Sequence, residues 1–293
     1  MRKIGWRWVT LAGWSGLAWA AYACSMSANY PPVTPEPTGT VLPGKFVWRD
    51  LLTSDPEAAQ RFYGELFGWE FETFDDGERA IAIGFLAGNP IAGILDTRQR
   101  AADSVPAQWV SSLSVDDVEA ASRRVRDEGG TLHWGPRTLG RRGLVALVSD
   151  PQRSVFALVR APAGDPRDTT PVPNAWLWSE LWTPDPDAAV RFYRRLAGYL
   201  ANELHDGQRP YVVLEAAGEP RAGIAHLQNP RIRPNWLPYI RVTDVRATAA
   251  RAEALGGRVL IRPSKEIRDG RVALIQDPTG AAVAVQEWEP ARK

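Results

Sequence analysis

Apolar and polar residues alternate from Lys45 to Leu52, and at Thr53-Ser54-Asp55-Pro56 the period changes. Beyond it, Ala58, Ala59, Phe62, Leu66 and Phe67 recur on one helical face. Asp55 is placed to cap that helix, Pro56 suits its first turn, and Gly68 suits its left-handed exit. Short strand patterns follow at Trp69–Phe74, Ile81–Leu86 and Ile91–Asp96, separated by Gly- and Pro-containing turns. The unit reads βαβββ. It recurs as a strand at Gln108–Val115, a helix at Val118–Glu128 closed by Gly129-Gly130, and strands near Thr131–Trp134, Leu144–Ser149 and Val155–Arg160.

The downstream half repeats this order. Trp48 to Trp69 and Trp178 to Tyr199 share 12 of 22 aligned residues, an offset of 130. Asp117-Val118, Gly129-Gly130 and Asp150-Pro151 return 127 residues later as Asp244-Val245, Gly256-Gly257 and Asp277-Pro278. A fixed offset over whole supersecondary units marks an internal duplication. Strands are expected near Trp176–Trp182, Tyr211–Glu215, Ala222–Leu227, Trp236–Val242, Arg258–Ile261, Val272–Gln276 and Ala282–Trp288, with helices at Asp187–Ala197 and Val245–Leu255. The fold class is therefore α+β, four βαβββ modules in two tandem domains, residues 45–162 and 174–289. Each half has the length to build its own core.

The amino terminus follows a different pattern. Arg2, Lys3 and Arg7 precede an uncharged run from Val9 to Ala23, the organisation of a secretory signal in residues 1–23. Cys24, the single cysteine, comes next, and the arrangement resembles a bacterial lipoprotein with Cys24 as the lipidation site. Secretion with cleavage at the same bond and an uncleaved anchor are the alternatives. Residues 24–44 hold five prolines and no apolar period, which reads as an extended linker. These features imply a cell-envelope location, membrane-anchored and facing the periplasm where there are two membranes. Loss of the leader takes three of 35 basic residues and leaves 34 acidic ones, so no basic surface for nucleic acid is expected.

Asp55-Pro56-Glu57-Ala58-Ala59 leading to Phe62-Tyr63 and Leu66-Phe67-Gly68-Trp69, together with Val115-Asp116-Asp117-Val118, Gly129-Gly130 and Asp150-Pro151, resemble the vicinal oxygen chelate superfamily. That group includes glyoxalases, extradiol dioxygenases and bleomycin-resistance proteins. The second half matches through Asp185-Pro186 to Phe192-Tyr193, Thr243-Asp244-Val245, Gly256-Gly257 and Asp277-Pro278-Thr279-Gly280, so two glyoxalase-like domains are implied. In metal-using members the resemblance implies His and Glu ligands in a cupped sheet. The corresponding positions here are Trp48, Val110 and Ala157, then Trp178, Leu237 and Ala284. None donates to a metal, so no metal, no cofactor and no catalytic residue is expected.

Tryptophan beside an acid is what the halves share instead. Alternation places Trp48 and Asp50 on one strand face, and Trp178, Glu180 and Trp182 on its equivalent. Trp109, Ser112, Trp236 and Tyr239 come from the partner strands and complete the candidate ligand-binding set. Indoles around a carboxylate suit a flat or cationic organic ligand. The same residues serve equally to plug the cup, with the acids accepting loop hydrogen bonds or pairing with an arginine. Three functions follow: an envelope-tethered, metal-free small-molecule binder; a metal-dependent lyase or dioxygenase; or a non-catalytic interaction module with filled cavities. The two halves are expected to pack together as a pseudo-dimer.

Overall fold

The structure is a computed structural model that describes residues 30–75, 80–98, 106–206, 209–229 and 232–289. The signal segment and Cys24 lie outside these residues. The first half contains β1 (Phe46–Thr53), α1 (Pro56–Phe67), β2 (Glu70–Asp75), β3 (Ala80–Leu86), β4 (Asn89–Asp96), β5 (Gln108–Ser114), α2 (Val118–Asp127), β6 (Thr131–Leu139), β7 (Gly143–Ser149) and β8 (Val155–Arg160). The second contains β9 (Trp176–Thr183), α3 (Pro186–Ala197), β10 (Leu200–Asp206), β11 (Arg209–Ala216), β12 (Glu219–His226), β13 (Asn235–Val242), α4 (Val245–Ala254), β14 (Arg258–Ile261), β15 (Val272–Gln276) and β16 (Ala282–Glu287). Each half forms one eight-stranded sheet, ordered β2-β3-β4-β1-β5-β8-β7-β6 and β10-β11-β12-β9-β13-β16-β15-β14. The α+β class and the four modules stand as the sequence pattern predicts.

Helix entry follows the capping residues. Asp55, Asp117, Asp185 and Asp244 each accept a hydrogen bond from the backbone N–H three residues on. Each satisfies a donor that the first helical turn leaves unpaired. Gly68 and Gly198 end α1 and α3 at φ of 71° and 70°, in the left-handed region where a side chain would be strained. Among the described residues, no helix is long and apolar enough to cross a membrane.

Two differences from the sequence pattern have physical causes. The sequence pattern gives no sign of β10, because Leu-Ala-Asn-Glu-Leu-His-Asp holds no β-branched residue; it is an edge strand whose Leu200 and Leu204 are exposed. The 24–44 stretch is not a free linker over residues 30–44. Tyr30, Val33 and Thr34 are buried, the Thr38 and Gly39 N–H groups donate to Ala163 O, and Leu42 N–H donates to Asp165 Oδ2. The segment bends at residues 33–36 and turns at 43–44, and it lies along the first half through backbone hydrogen bonds and a few buried side chains rather than through an apolar period.

The halves do not build separate cores behind their sheets. One buried cluster joins Val118, Ala121, Val125 and Phe156 of the first half to Phe192, Tyr193, Leu214 and Ile224 of the second. The other joins Phe62, Tyr63, Phe67 and Ile94 to Val245, Ala249, Ile275 and Val283. Two helices per sheet leave part of the outer face bare, and the other half covers it. Arg49 and Ser179, related by the 130-residue offset, meet through an Nη2–Oγ hydrogen bond of 3.0 Å, so a pseudo-twofold axis passes near them. Burial brings the Arg49 guanidinium down to about 9.

A matched pair of hydrogen-bond chains crosses the interface. Trp109 Nε1 donates to Tyr63 Oη at 2.9 Å, and Tyr63 donates to Asp277 Oδ2 at 3.0 Å. Trp236 Nε1 donates to Tyr193 Oη at 2.8 Å, and Tyr193 donates to Asp150 Oδ2 at 3.0 Å. The other oxygen of each aspartate accepts backbone N–H groups of its own turn. Burial, followed by the facing aspartate, raises both tyrosines well above their ordinary value, which keeps each a neutral donor.

Tyr63→Phe and Tyr193→Phe each strand a buried indole N–H and a buried carboxylate oxygen. Each should cost about 1–3 kcal/mol in denaturant unfolding. Because the two chains sit in different clusters, the double variant should lose roughly the sum. A loss under about 0.5 kcal/mol for both would show that these bonds do not hold the halves together.

Candidate functional site

The inner face of each sheet is a cup with an acid on its central strand. In the first cup Asp50 stands opposite Gly93 on β4 and Val110 on β5, while Ser112 faces Trp48 and Ala157. In the second, Glu180 stands opposite Gly223 and Leu237, and Tyr239 faces Trp178 and Ala284. The glycines make room for these contents. A Cβ at Gly93 would collide with Asp50 Oδ1, and one at Gly223 with the Tyr211 hydroxyl.

The first cup is largely occupied by its own side chains. Trp48 Nε1 donates to Asp50 Oδ1 at 2.8 Å, and Arg142 Nη1 lies 3.7 Å from Asp50 Oδ2. The Arg142 guanidinium is 3.8 Å from the centre of the Trp48 ring and 5.5 Å from that of Tyr30. Burial raises the Asp50 carboxyl above its ordinary value, with Arg142 and the Trp48 N–H acting against that shift. Trp48 is 1% exposed. A cavity of about 40 Å³ remains, lined by Tyr30, Asp50, Ser112, Trp134 and Arg142 among others.

The second cup is more aromatic, and its indoles are more exposed than Trp48. Leu52, Ile81 and Ser112 of the first half have Trp182, Tyr211 and Tyr239 as counterparts. Glu180 Oε1 accepts from Trp182 Nε1 at 2.7 Å and Tyr239 Oη at 2.8 Å, and Oε2 accepts from Arg268 Nη2 at 2.5 Å. Arg268 also donates to Gln286 and lies 5.3 and 5.4 Å from the Tyr211 and Tyr239 ring centres. Trp178 Nε1 donates to the Tyr211 hydroxyl at 2.9 Å. Trp178, Trp182 and Tyr211 are only half-buried, so their rings wall an accessible face.

Two candidate residues belong elsewhere. Trp109 and Trp236 point away from the cups, into the shared cores and onto Tyr63 and Tyr193. Three positions separate Trp109 from Ser112, and Trp236 from Tyr239, so strand alternation puts each pair on opposite faces. Trp48, Asp50, Ser112, Trp178, Glu180, Trp182 and Tyr239 all reach their cups. The residues that the pattern missed are Arg142 and Arg268. Both come from turns, Gly140–Arg142 and Arg268–Gly270, preceding matched strands β7 and β15. Arg141 and Arg268 share the 127-residue offset, the one available signal. Of the histidines, His133 bonds Ser149 at 2.9 Å while Trp134 lines the cup, and His226 is exposed at a strand end.

The glyoxalase/bleomycin resistance protein/dioxygenase superfamily model matches residues 45–158 and 177–285. The chain belongs to this superfamily. A Mycobacterium tuberculosis protein, CFP32, named provisionally as a glyoxylase, is 31% identical over 247 residues, covering 83% of this chain and 94% of its own. The anthracycline biosynthesis protein DnrV of Streptomyces peucetius is 30% identical over 267 residues, covering 84% and 94%. Among solved structures, the Mn(II)-bound glyoxalase of Novosphingobium aromaticivorans superposes with a TM-score of 0.58 at 17% identity, covering 84% of this chain and 82% of that one.

The cups do not fit the divalent ion that such a superfamily can hold. Trp48, Val110, Ala157, Trp178, Leu237 and Ala284 occupy the implied ligand positions. No group of three or more His, Cys, Asp or Glu side chains converges among the described residues. The central-strand carboxylate of each cup faces an arginine, a fixed cation that repels a second one.

The two ion pairs should differ in strength. Glu180→Gln breaks a short, buried pair and should destabilise the chain by about 2–4 kcal/mol, near the lower end for such pairs. Asp50→Asn keeps the Trp48 hydrogen bond and loses only the wider contact, so about 1 kcal/mol is expected. Equal losses in denaturant unfolding would contradict this asymmetry.

Proposed function

We propose that this chain is a metal-independent binding protein whose second cup takes a flat organic ligand bearing a positive charge. The observation that carries the reading is the Arg268 guanidinium lodged beside Tyr211 and Tyr239 and bonded to Glu180. A site that holds its own side-chain cation among aromatic rings against a carboxylate has the chemistry to hold another. An incoming ammonium takes over Glu180 as Arg268 swings out, and the ligand's rings lie on Trp178 and Trp182. That DnrV is named for anthracycline biosynthesis fits a polycyclic aromatic ligand.

The first cup favours a second reading, in which filled cups leave an interaction module, because Trp48 and Arg142 are almost wholly enclosed. The half-buried rings of the second cup weigh against extending that reading to both halves. The basic, apolar amino terminus ending at Cys24 supports envelope tethering by a lipid at that cysteine. Docking of residues 30–44 would then hold the body closer to the membrane than a free linker would.

Proflavine, a flat aromatic cation, should bind the wild-type protein at one site. Trp178→Ala and Glu180→Gln should each weaken it about tenfold, within the range of a cation–π or charged contact. Undiminished binding by both variants, or no binding by wild type, would sink the reading. Tethering has its own test in cells: Cys24→Ser should abolish fatty-acid labelling and membrane attachment, and retention of both would overturn it.

A further inference from the structure

The first cup is closed by the chain itself, and the way it is closed describes what it can hold. Tyr30 is 4% exposed and contributes its ring to the cup wall, within 5.5 Å of the Arg142 guanidinium. The carbonyl of the next residue, Pro31, accepts a hydrogen bond from Arg142 Nε at 3.0 Å. The Arg141 N–H donates to Tyr30 O at 3.1 Å, and Val33 is buried in the same apolar cluster as Trp48, Trp134 and Val145. So a short segment delivers one aromatic ring and one acceptor oxygen to an arginine already stacked on an indole. No equivalent segment covers the second cup among the described residues, where the tryptophans remain half-buried.

We propose that residues 30–34 act as an internal ligand, and that the first cup is a second small-molecule site for a planar aromatic carrying a carbonyl oxygen. The ligand's ring replaces that of Tyr30, and its carbonyl replaces that of Pro31 on Arg142. The cavity of about 40 Å³ lined by Tyr30, Asp50 and Ser112 leaves room for a ring substituent with a hydroxyl. Only non-covalent contacts are exchanged. Because the strap competes for the cup, apparent affinity in the intact chain is reduced by the fraction of molecules in which the strap is away. The site is independent of the second cup: it uses other residues and prefers a neutral acceptor to a cation.

The test is calorimetric titration of the full chain with 4-hydroxyacetophenone. The Tyr30→Ala/Val33→Ala variant should bind it about tenfold or more tightly than wild type, since the competing segment is weakened. Adding Arg142→Met should remove that gain. Equal binding by wild type and the strap variant, or a gain that survives Arg142→Met, would overturn the proposal. Should the double strap variant fail to fold, Tyr30→Ala alone carries the same comparison. Proflavine binding through Glu180 is read separately, so either cup can fail without the other.

Discussion

Each sheet in this protein has two faces to cover and only two helices with which to cover one of them. The other half of the chain closes that outer face, contributing helices and strand residues to two shared cores. Around the pseudo-twofold axis, Tyr63–Asp277 and Tyr193–Asp150 fix the halves to each other through buried hydrogen bonds. A buried polar pair of this kind adds little net stability when made and costs far more when half of it is removed, so it specifies the packing. The inner faces keep smaller apolar clusters of their own, one in each cup.

What fills the cups follows from charge. A carboxylate on the central strand, desolvated between sheet walls, requires a positive partner or a set of donors. In a metal-holding relative an ion can be that partner. Here a loop arginine is, with indole and phenol donors completing the shell. The arginines account for the aromatic residues at these positions, since a guanidinium lies favourably on their faces. This lining also separates the halves. Tyr211, Trp182 and Tyr239 give the second cup rings and hydroxyls, whereas Ile81, Leu52 and Ser112 leave the first with less aromatic lining and a strap across it.

Much of this was legible in the sequence because it is local. Four aspartates followed by helical spacing announce four caps, and glycines after α1 and α3 announce their ends. The duplicated offset then turns one βαβββ reading into four. The acids and the central-strand tryptophans were equally readable, since strand alternation alone places Trp48 with Asp50 and Trp178 with Glu180. Matched position misleads where it conflicts with alternation, as at Trp109 and Trp236, three residues from Ser112 and Tyr239 and so on the opposite face. Docking of Tyr30 and the arrival of Arg142 and Arg268 were not readable at all from periodicity. Each depends on a contact between segments far apart in the chain, and a side chain on an irregular turn carries no period to betray it.

If an arginine has taken the place of the metal, the cups should have no stoichiometric affinity for divalent ions. The direct measurement is elemental analysis of residues 30–293, purified without chelators or a histidine tag and then dialysed against manganese, zinc and iron(II). The account predicts only background metal. A reproducible content near about one ion per cup would contradict it, because the donors it requires would have to come from groups now occupied by Arg142 and Arg268.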